Sequence, residues 1–202
     1  MDDMEEKTPA TVLYDELDKT MWITKHSRYN ASDRLRRKHS ISIYTISILS
    51  IYALVLTLLE KYGFQVSNCN IYEFSSVLLA LFILVLSLTE ASKNYMVSSE
   101  RLFVCGNNIR DLLDELKKFN NGSETDVAGI EALSSRYSHV LKACGENHET
   151  IDYDLLRAQR PKDFNDLNWF AGLYFKMKYM FNIYGLYFVL IVIPPVLFWK
   201  FK

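Results

Sequence analysis

The chain has 202 residues, of which 50% are hydrophobic and 23% are charged, and its formal net charge is −1. This balance excludes a strongly basic protein, and we expect no direct nucleic-acid partner. The averages look like those of a soluble protein only because hydrophobic and charged residues occupy separate blocks of the chain. The blocks, and not the averages, therefore decide the class of protein.

Residues 1–38 predict an amphipathic, basic N-terminal helix. Thr8 followed by Pro9 is a cap with proline at the first helical position, which is a common helix start. An apolar face follows, made of Leu13, Leu17, Met21 and Trp22. This face most simply packs on other helices of the chain. The basic residues can also contact anionic lipid headgroups, which attract Lys and Arg; these residues are Arg28, Arg34, Arg36, Arg37 and Lys38.

The segment from Ser40 to Leu59 predicts a membrane-spanning helix. Its twenty residues carry no charge. A helix needs about 20 apolar residues to cross a bilayer core of about 30 Å. Lys and Arg directly before such a segment hold that end in the cytoplasm.

One face of this predicted span is polar. When residues are placed 100° apart, four hydroxyl side chains fall within an arc of about 100°; they are Ser40, Ser47, Ser50 and Thr57. Such a stripe either joins helices or faces water in a narrow pore, and it has no ring of charges to select an ion. Joining helices is the commoner case, and Ser42 and Thr45, which lie off the stripe, weaken the pore interpretation.

Two further segments are candidate spans. Phe74 to Thr89 has no charge but only sixteen residues, so it must recruit Ile71 and Tyr72 or thin the bilayer. Tyr179 to Trp199 has twenty-one uncharged residues, with interfacial positions for four aromatics, Tyr184, Tyr187, Phe198 and Trp199. Its Pro-Pro pair weakens a straight span, but its length favours a kinked span over a re-entrant or surface-lying segment.

The distribution of basic residues predicts the topology. Lys and Arg concentrate before the first span and after the second, whereas residues 60–73 carry only Lys61. By the positive-inside rule, we expect both ends of this hairpin to lie in the cytoplasm. We expect an all-α membrane protein in which a transmembrane hairpin, residues 39–90, continues into a cytoplasmic helical region, residues 91–178. A third predicted transmembrane helix, residues 179–202, follows.

Apolar residues between Leu88 and Phe119 are spaced alternately three and four positions apart, as in a coiled-coil seam. The spacing predicts that the second span continues as one helix to about Phe119. Asn120, Asn121 and Gly122 favour a helix end, and Ser123 favours the cap of the next helix. That next helix has its own seam, made of Ile130, Leu133, Tyr137, Val140 and Cys144.

These two seams have two interpretations. Two antiparallel helices joined by a short turn can cover each other's seams within one chain. Alternatively, part of the longer first seam is left over for other subunits; its residues are Leu102, Cys105, Ile109, Leu112 and Leu116.

The sequence contains no recognisable catalytic, cofactor-binding or metal-binding set. Glycine-rich phosphate loops, G-x-S-x-G and H-E-x-x-H are absent. Cys144 and His148 have a metal-like spacing but lack the second pair of ligands that a zinc site needs. We therefore expect no enzyme and no cofactor.

The layout of the chain resembles the SLATT family over about residues 12–120. The resemblance rests on Trp22 to Lys25, on Arg28 to Leu35, on the two-span hairpin, and on Tyr95 and Ser99 to Phe103 in the following helix. These are small bacterial proteins with two transmembrane segments and a cytoplasmic helical part, associated with nucleotide-signalling and reverse-transcriptase defence systems. The third hydrophobic segment, Tyr179 to Trp199, departs from that two-span pattern.

What the resemblance implies is an effector of the bacterial inner membrane. It would oligomerise and permeabilise that membrane when an upstream sensor is triggered by phage. Its partners would be the lipid bilayer, further copies of the chain, and a sensor or signalling protein encoded nearby. The alternative is a membrane-tethered helical adaptor that recruits a cytoplasmic partner.

Overall fold

The computed structural model of the protein describes residues 9–61, 69–119, 127–164 and 167–200. These residues form six α-helices and no strand. The helices are α1 (Pro9–Lys61), α2 (Cys69–Ser92), α3 (Tyr95–Phe119), α4 (Val127–Cys144), α5 (Thr150–Gln159) and α6 (Trp169–Lys200). Three of the helical segments are long and apolar enough to cross a membrane. The predicted all-α membrane protein is therefore confirmed.

Helix α1 is a single helix of 53 residues, which gives a length of about 80 Å. It contains both the predicted N-terminal helix and the predicted first span. Pro9 is its first residue, and no glycine or further proline occurs before its end. Because neither helix-breaking residue is present, nothing in the sequence interrupts the hydrogen-bond ladder.

The prediction of one helix from the second span to Phe119 is wrong in one respect. Helix α2 ends at Ser92 and α3 begins at Tyr95. Between them, Asn94 has a φ of 47°, a left-handed conformation that Asn adopts more readily than most residues. The amide of Lys93 donates to the Glu90 carbonyl three residues back, at 3.3 Å. This tightened turn closes α2.

The chain forms two compact units. The first, here called the bundle, contains the described residues up to Arg34 and those from Val97 to Tyr179. The second, here called the span unit, contains the described residues from Leu35 to Met96 and those after Tyr179. Helices α1, α3 and α6 contribute residues to both units.

The hydrophobic core of the bundle is built by α1, α3 and α4. Its buried residues are Leu17, Met21, Cys105, Ile109, Leu112, Leu113, Leu116, Ile130, Leu133 and Tyr137. The predicted apolar face of the N-terminal helix and the two predicted seams thus meet within one chain. The turn predicted at residues 120–122 and the cap predicted at Ser123 lie outside the described residues.

Within the bundle, helix α5 buries Ile151, Leu155 and Leu156. Its start is fixed by a capping box. The side chain of Glu149 accepts from the backbone of Asp152, and the Asp152 carboxylate accepts from the Glu149 amide at 2.9 Å. Two of the donors left free at a helix start are satisfied in this way.

The span unit exposes many of its large apolar side chains, whereas the bundle buries its own in a core. Large apolar side chains of α1 and α2 point outward, among them Ile51, Leu54 and Leu81. Inward positions of α1 include Ser42, Thr45 and Leu49. A helix with its apolar side chains outside and small polar ones inside is suited to a lipid environment.

Helix α6 differs from the predicted third span at its start. The helix begins at Trp169, ten residues before the predicted Tyr179. It stays helical through Pro194 and Pro195.

Close packing of α1 on α3 gives a test of the bundle. A Cβ atom added at Gly106 would lie 2.6 Å from the ring of Tyr29, whereas one added at Gly172 would meet only Leu167, at 3.5 Å. The Tyr29 ring is held by its hydroxyl, which donates to Asn107 at 2.8 Å. We expect Gly106→Ala to lower the free energy of unfolding by about 1–3 kcal/mol relative to Gly172→Ala.

Thermal unfolding of both variants in the same detergent measures this difference. Both substitutions exchange a helical glycine for alanine, so the gain in helix propensity cancels. Equal melting temperatures would show that the Tyr29 ring moves aside without cost.

Candidate functional site

The four hydroxyls of the predicted stripe lie along the membrane-spanning part of α1. Ser40, Ser47 and Thr57 are exposed on the single chain, and Ser50 is half-buried. The inward side of the same helix carries Ser42 and Thr45. The stripe is therefore on a side of α1 that the chain itself leaves largely uncovered.

Each stripe hydroxyl donates to a carbonyl of its own helix. Ser47 donates to Ile43 at 2.9 Å, and Ser50 donates to Ile46 at 2.8 Å. Ser40 and Thr57 do the same, to Arg36 at 3.2 Å and to Ala53 at 3.0 Å. Among the described residues, none of these four hydroxyls is bonded to another helix. Their remaining acceptor capacity faces outward.

The span unit also contains a buried carboxylate that the sequence argument did not select. Glu90 follows the charge-free segment of α2 and is 8% exposed. It accepts a hydrogen bond from the hydroxyl of Tyr187 on α6 at 2.9 Å, and it pairs with Lys93 at 2.6 Å. Tyr187 was expected at the lipid interface; it instead binds another helix. The sequence signal for this contact is the first charged residue after one predicted span, together with a tyrosine in another predicted span.

The five predicted headgroup contacts separate into two groups. Arg36 and Arg37 are exposed and Lys38 is half-buried, so lipid contact remains a prediction for these three. Arg28 and Arg34 are only 4% and 2% exposed. For these two the prediction is wrong, because both guanidinium groups are occupied inside the bundle.

Arg28 joins α1 to the middle of α3 and to the end of α4. Its Nη1 donates to the sulfur of Cys105 at 2.9 Å, to the sulfur of Cys144, and to the carbonyl oxygen of Glu146 at 3.0 Å. Burial, with the hydrogen bond to Cys144, raises the pKa of the Cys105 thiol to about 12. At neutral pH that thiol is protonated, which is the unreactive form.

Arg34 joins α1 to α5. Its Nε and Nη2 donate to the two carboxylate oxygens of Asp152 at 2.8 and 3.0 Å, and Nη2 also pairs with Glu149 at 2.9 Å. Burial alone would lower the pKa of Arg34, but the hydrogen bonds and charges of Asp152 and Glu149 outweigh it and raise that pKa. Asp152 is fully buried, so the paired charges stabilise each other away from water.

A match to a known protein family shows where this chain belongs. A family profile described as the SMODS and SLOG-associating 2TM effector domain family 5 matches residues 13–200. The chain belongs to this SLATT family. The match extends beyond residue 120 and includes α6, so the third apolar helix lies within the family's profile. A search of the curated proteins and a search of the solved structures find no match.

In this SLATT protein the predicted oligomer seam is covered by the chain itself. Leu102, Cys105, Ile109, Leu112 and Leu116 are all at most 5% exposed. The partners of α3 in the core are α1 and α4. The first interpretation, in which the seams are satisfied within one chain, therefore describes these residues, and assembly of subunits needs another surface.

The SLATT protein brings no metal-ligand set together among its described residues. Cys144, which was considered with His148, contacts Arg28 instead. Two open surface grooves lie between α3 and α4, of about 420 and 240 Å³. They share Asn108 and Val140. The family's description names an effector domain and no enzyme activity.

The buried ion pair gives a second prediction. Asp152→Asn removes the charge opposite Arg34 and leaves a buried cation that is poorly compensated. We expect the free energy of unfolding to fall by about 3–5 kcal/mol. Chemical denaturation in detergent, followed by circular dichroism, measures it.

The matched control is Glu115→Gln. Glu115 pairs with Arg136 at 2.7 Å on the exposed surface of the bundle, and we expect no measurable change from its loss. Equal effects of the two substitutions would mean that the Arg34 pair contributes no more than a surface pair.

Proposed function

We propose that the protein is a membrane effector of a bacterial antiphage defence system, which oligomerises and permeabilises the inner membrane when it is triggered. The observation that carries the proposal is the outward stripe of hydroxyls on α1. Ser40, Ser47 and Thr57 are exposed on a helix whose neighbouring outward side chains are apolar. Membership of a family of 2TM effector domains supports the effector role.

A water-filled path needs several copies of the chain. Three candidate spans cannot enclose a channel alone. If copies assemble so that the stripes face one another, hydroxyl groups line the path. Such a lining carries no charge to discriminate between ions, so the pore is narrow and weakly selective.

The association named in the family description supports a partner for this chain. SMODS and SLOG proteins are the associates that the description gives for the family. We propose that the trigger reaches this protein from a sensor or signalling protein encoded nearby. No direct contact with nucleic acid is part of the mechanism.

The basic residues beside the first span support an orientation. Arg36, Arg37 and Lys38 precede the charge-free segment of α1, and Lys93 follows that of α2. We propose that the N-terminus and the bundle lie in the cytoplasm. A cytoplasmic bundle is where an upstream partner could reach the protein.

The permeation proposal predicts the effect of filling the stripe. Ser47→Leu together with Ser50→Leu replaces two outward hydroxyls by apolar bulk, which favours dewetting of a narrow pore. We expect ion leakage from liposomes, or from strongly overexpressing cells, to fall at least several-fold. A voltage-sensitive dye measures the leak, and light scattering checks that oligomer size is unchanged.

The matched control is Ser87→Leu with Thr89→Leu on α2. Both hydroxyls also donate to their own helix, and one is half-buried and the other exposed, as in the test pair. We expect leakage to persist in this control. If the wild-type protein shows no leakage with its trigger or on overexpression, the membrane-tethered adaptor becomes the better account.

The orientation predicts where the C-terminus lies. If both ends of the hairpin are cytoplasmic and α6 crosses the membrane, residue 202 is outside the cytoplasm. Reporters active only in the periplasm or only in the cytoplasm, fused after Lys202, test this directly. A cytoplasmic signal would mean that α6 does not cross.

A further inference from the structure

The first part of α6 exposes a row of large apolar side chains. Trp169 and Phe170 are 73% and 76% exposed, and Leu173, Tyr174 and Met177 are exposed as well. These five residues belong to the bundle. Three of the five side chains are aromatic. A contiguous exposed patch of large apolar and aromatic side chains marks an interaction site rather than ordinary surface.

The opposite side of this part of α6 is already bound. Arg157 of α5 lies over the ring of Phe175, 5.7 Å from its centroid. Lys178 pairs with Asp154 at 3.1 Å, and the Tyr179 hydroxyl donates to the carbonyl oxygen of Asn30 at 3.0 Å. Trp169 contacts Phe170, and Tyr174 contacts Phe175, within α6 itself. The row therefore stays largely exposed among the described residues, while the helix that carries it is held in place.

The position of the row along α6 argues against lipid as its cover. The charge-free segment of α6 begins at Tyr179, directly after Lys178. Trp169 precedes Tyr179 by ten residues of the same helix, or about 15 Å. This distance exceeds the thickness of a headgroup layer. Trp169 and Phe170, at the start of the row, thus lie beyond the hydrocarbon region.

The spacing of the row is that of a helix-pairing seam. Phe170, Leu173, Met177 and Met180 follow one another at intervals of three, four and three residues, and all are exposed. Such a seam buries itself against a second helix of the same kind. The only charged side chains from residue 169 to 199 are Lys176 and Lys178, and helical spacing places them at the two margins of this row.

We propose that this row, Trp169, Phe170, Leu173, Tyr174 and Met177, is the surface through which copies of the chain assemble. Insertion in one membrane gives all copies the same orientation, so two α6 helices can pair in parallel with identical residues facing. The exposed part of these five side chains is on the order of 700 Å² per copy, taking about 150–250 Å² for a large side chain. A stable interface buries about 800 Å² per partner.

This inference rests on the proposed function, which needs several copies of the chain. The row on α6 takes the place of the predicted oligomer seam on α3, which the chain itself covers. The test compares Leu173→Glu with Val127→Glu in the full-length protein, purified in a mild detergent. Both residues are 44% exposed in the single chain, so each substitution introduces a carboxylate at an equally accessible apolar position. Light scattering of the chromatographed particle gives the number of chains.

We expect the wild-type protein and Val127→Glu to be oligomers of the same mass and Leu173→Glu to fall to the monomer mass. In parallel, Met177→Cys should give a cross-linked dimer on mild oxidation, several-fold above the wild-type background from native cysteines. Ala171→Cys, which helical spacing places on the side of α6 away from the row, should not. An unchanged mass for Leu173→Glu, a monomeric wild-type protein, or no cross-link at Met177→Cys would overturn the inference.

A lipid cover is tested by the fluorescence of Trp169 in a variant with Trp22→Phe and Trp199→Phe, reconstituted with brominated lipids. Strong quenching would overturn the inference in favour of lipid, whereas no quenching supports protein cover. Leakage assays separate this result from the proposed function. If the protein leaks and Leu173→Glu stays an oligomer, the effector proposal stands and the assembly surface is overturned. If Leu173→Glu dissociates but the wild-type protein never leaks, the assembly surface stands and the effector proposal is overturned.

Discussion

The bundle depends on a short stretch of α1 in which two arginines are buried. Arg28 and Arg34 are six residues apart, and between them they hold α3, α4 and α5. Asp152 pairs with Arg34 and at the same time caps the helix that carries it. One carboxylate therefore fixes both the start of α5 and its attachment to α1. Buried charges have few alternative partners, so this arrangement specifies how the helices meet as well as adding stability.

Most of the fold is readable from the sequence because it follows two simple patterns. Charge-free runs predicted the spans, and three-four spacing predicted the faces of α3 and α4 that form the core. The break between α2 and α3 was not readable, because the apolar spacing keeps its phase across Lys93 and Asn94. The unbroken course of α1 was not inferred either, although the absence of glycine and proline after Pro9 permits it.

The buried contacts were harder to predict for a physical reason. A basic residue shortly before a span has the same sequence signature whether it faces lipid or a carboxylate far along the chain. Arg34 and Asp152 are 118 residues apart, and Tyr187 and Glu90 are 97 apart. Only the tertiary fold brings such partners together. For the hydroxyl stripe the sequence left open whether the chain itself would cover that face.

The hydroxyl groups of the spans have a consequence for how the membrane part can rearrange. Ser47, Ser50 and Ser87 each bind a carbonyl of their own helix. A helix satisfied in this way can exchange one neighbour for another without leaving a polar hydrogen unpaired in lipid. Hydrogen bonding at these positions then differs little between separate and assembled chains. The equilibrium between separate and assembled chains then depends on side-chain packing and on the displacement of lipid. Bilayer thickness and acyl-chain composition should therefore shift this equilibrium.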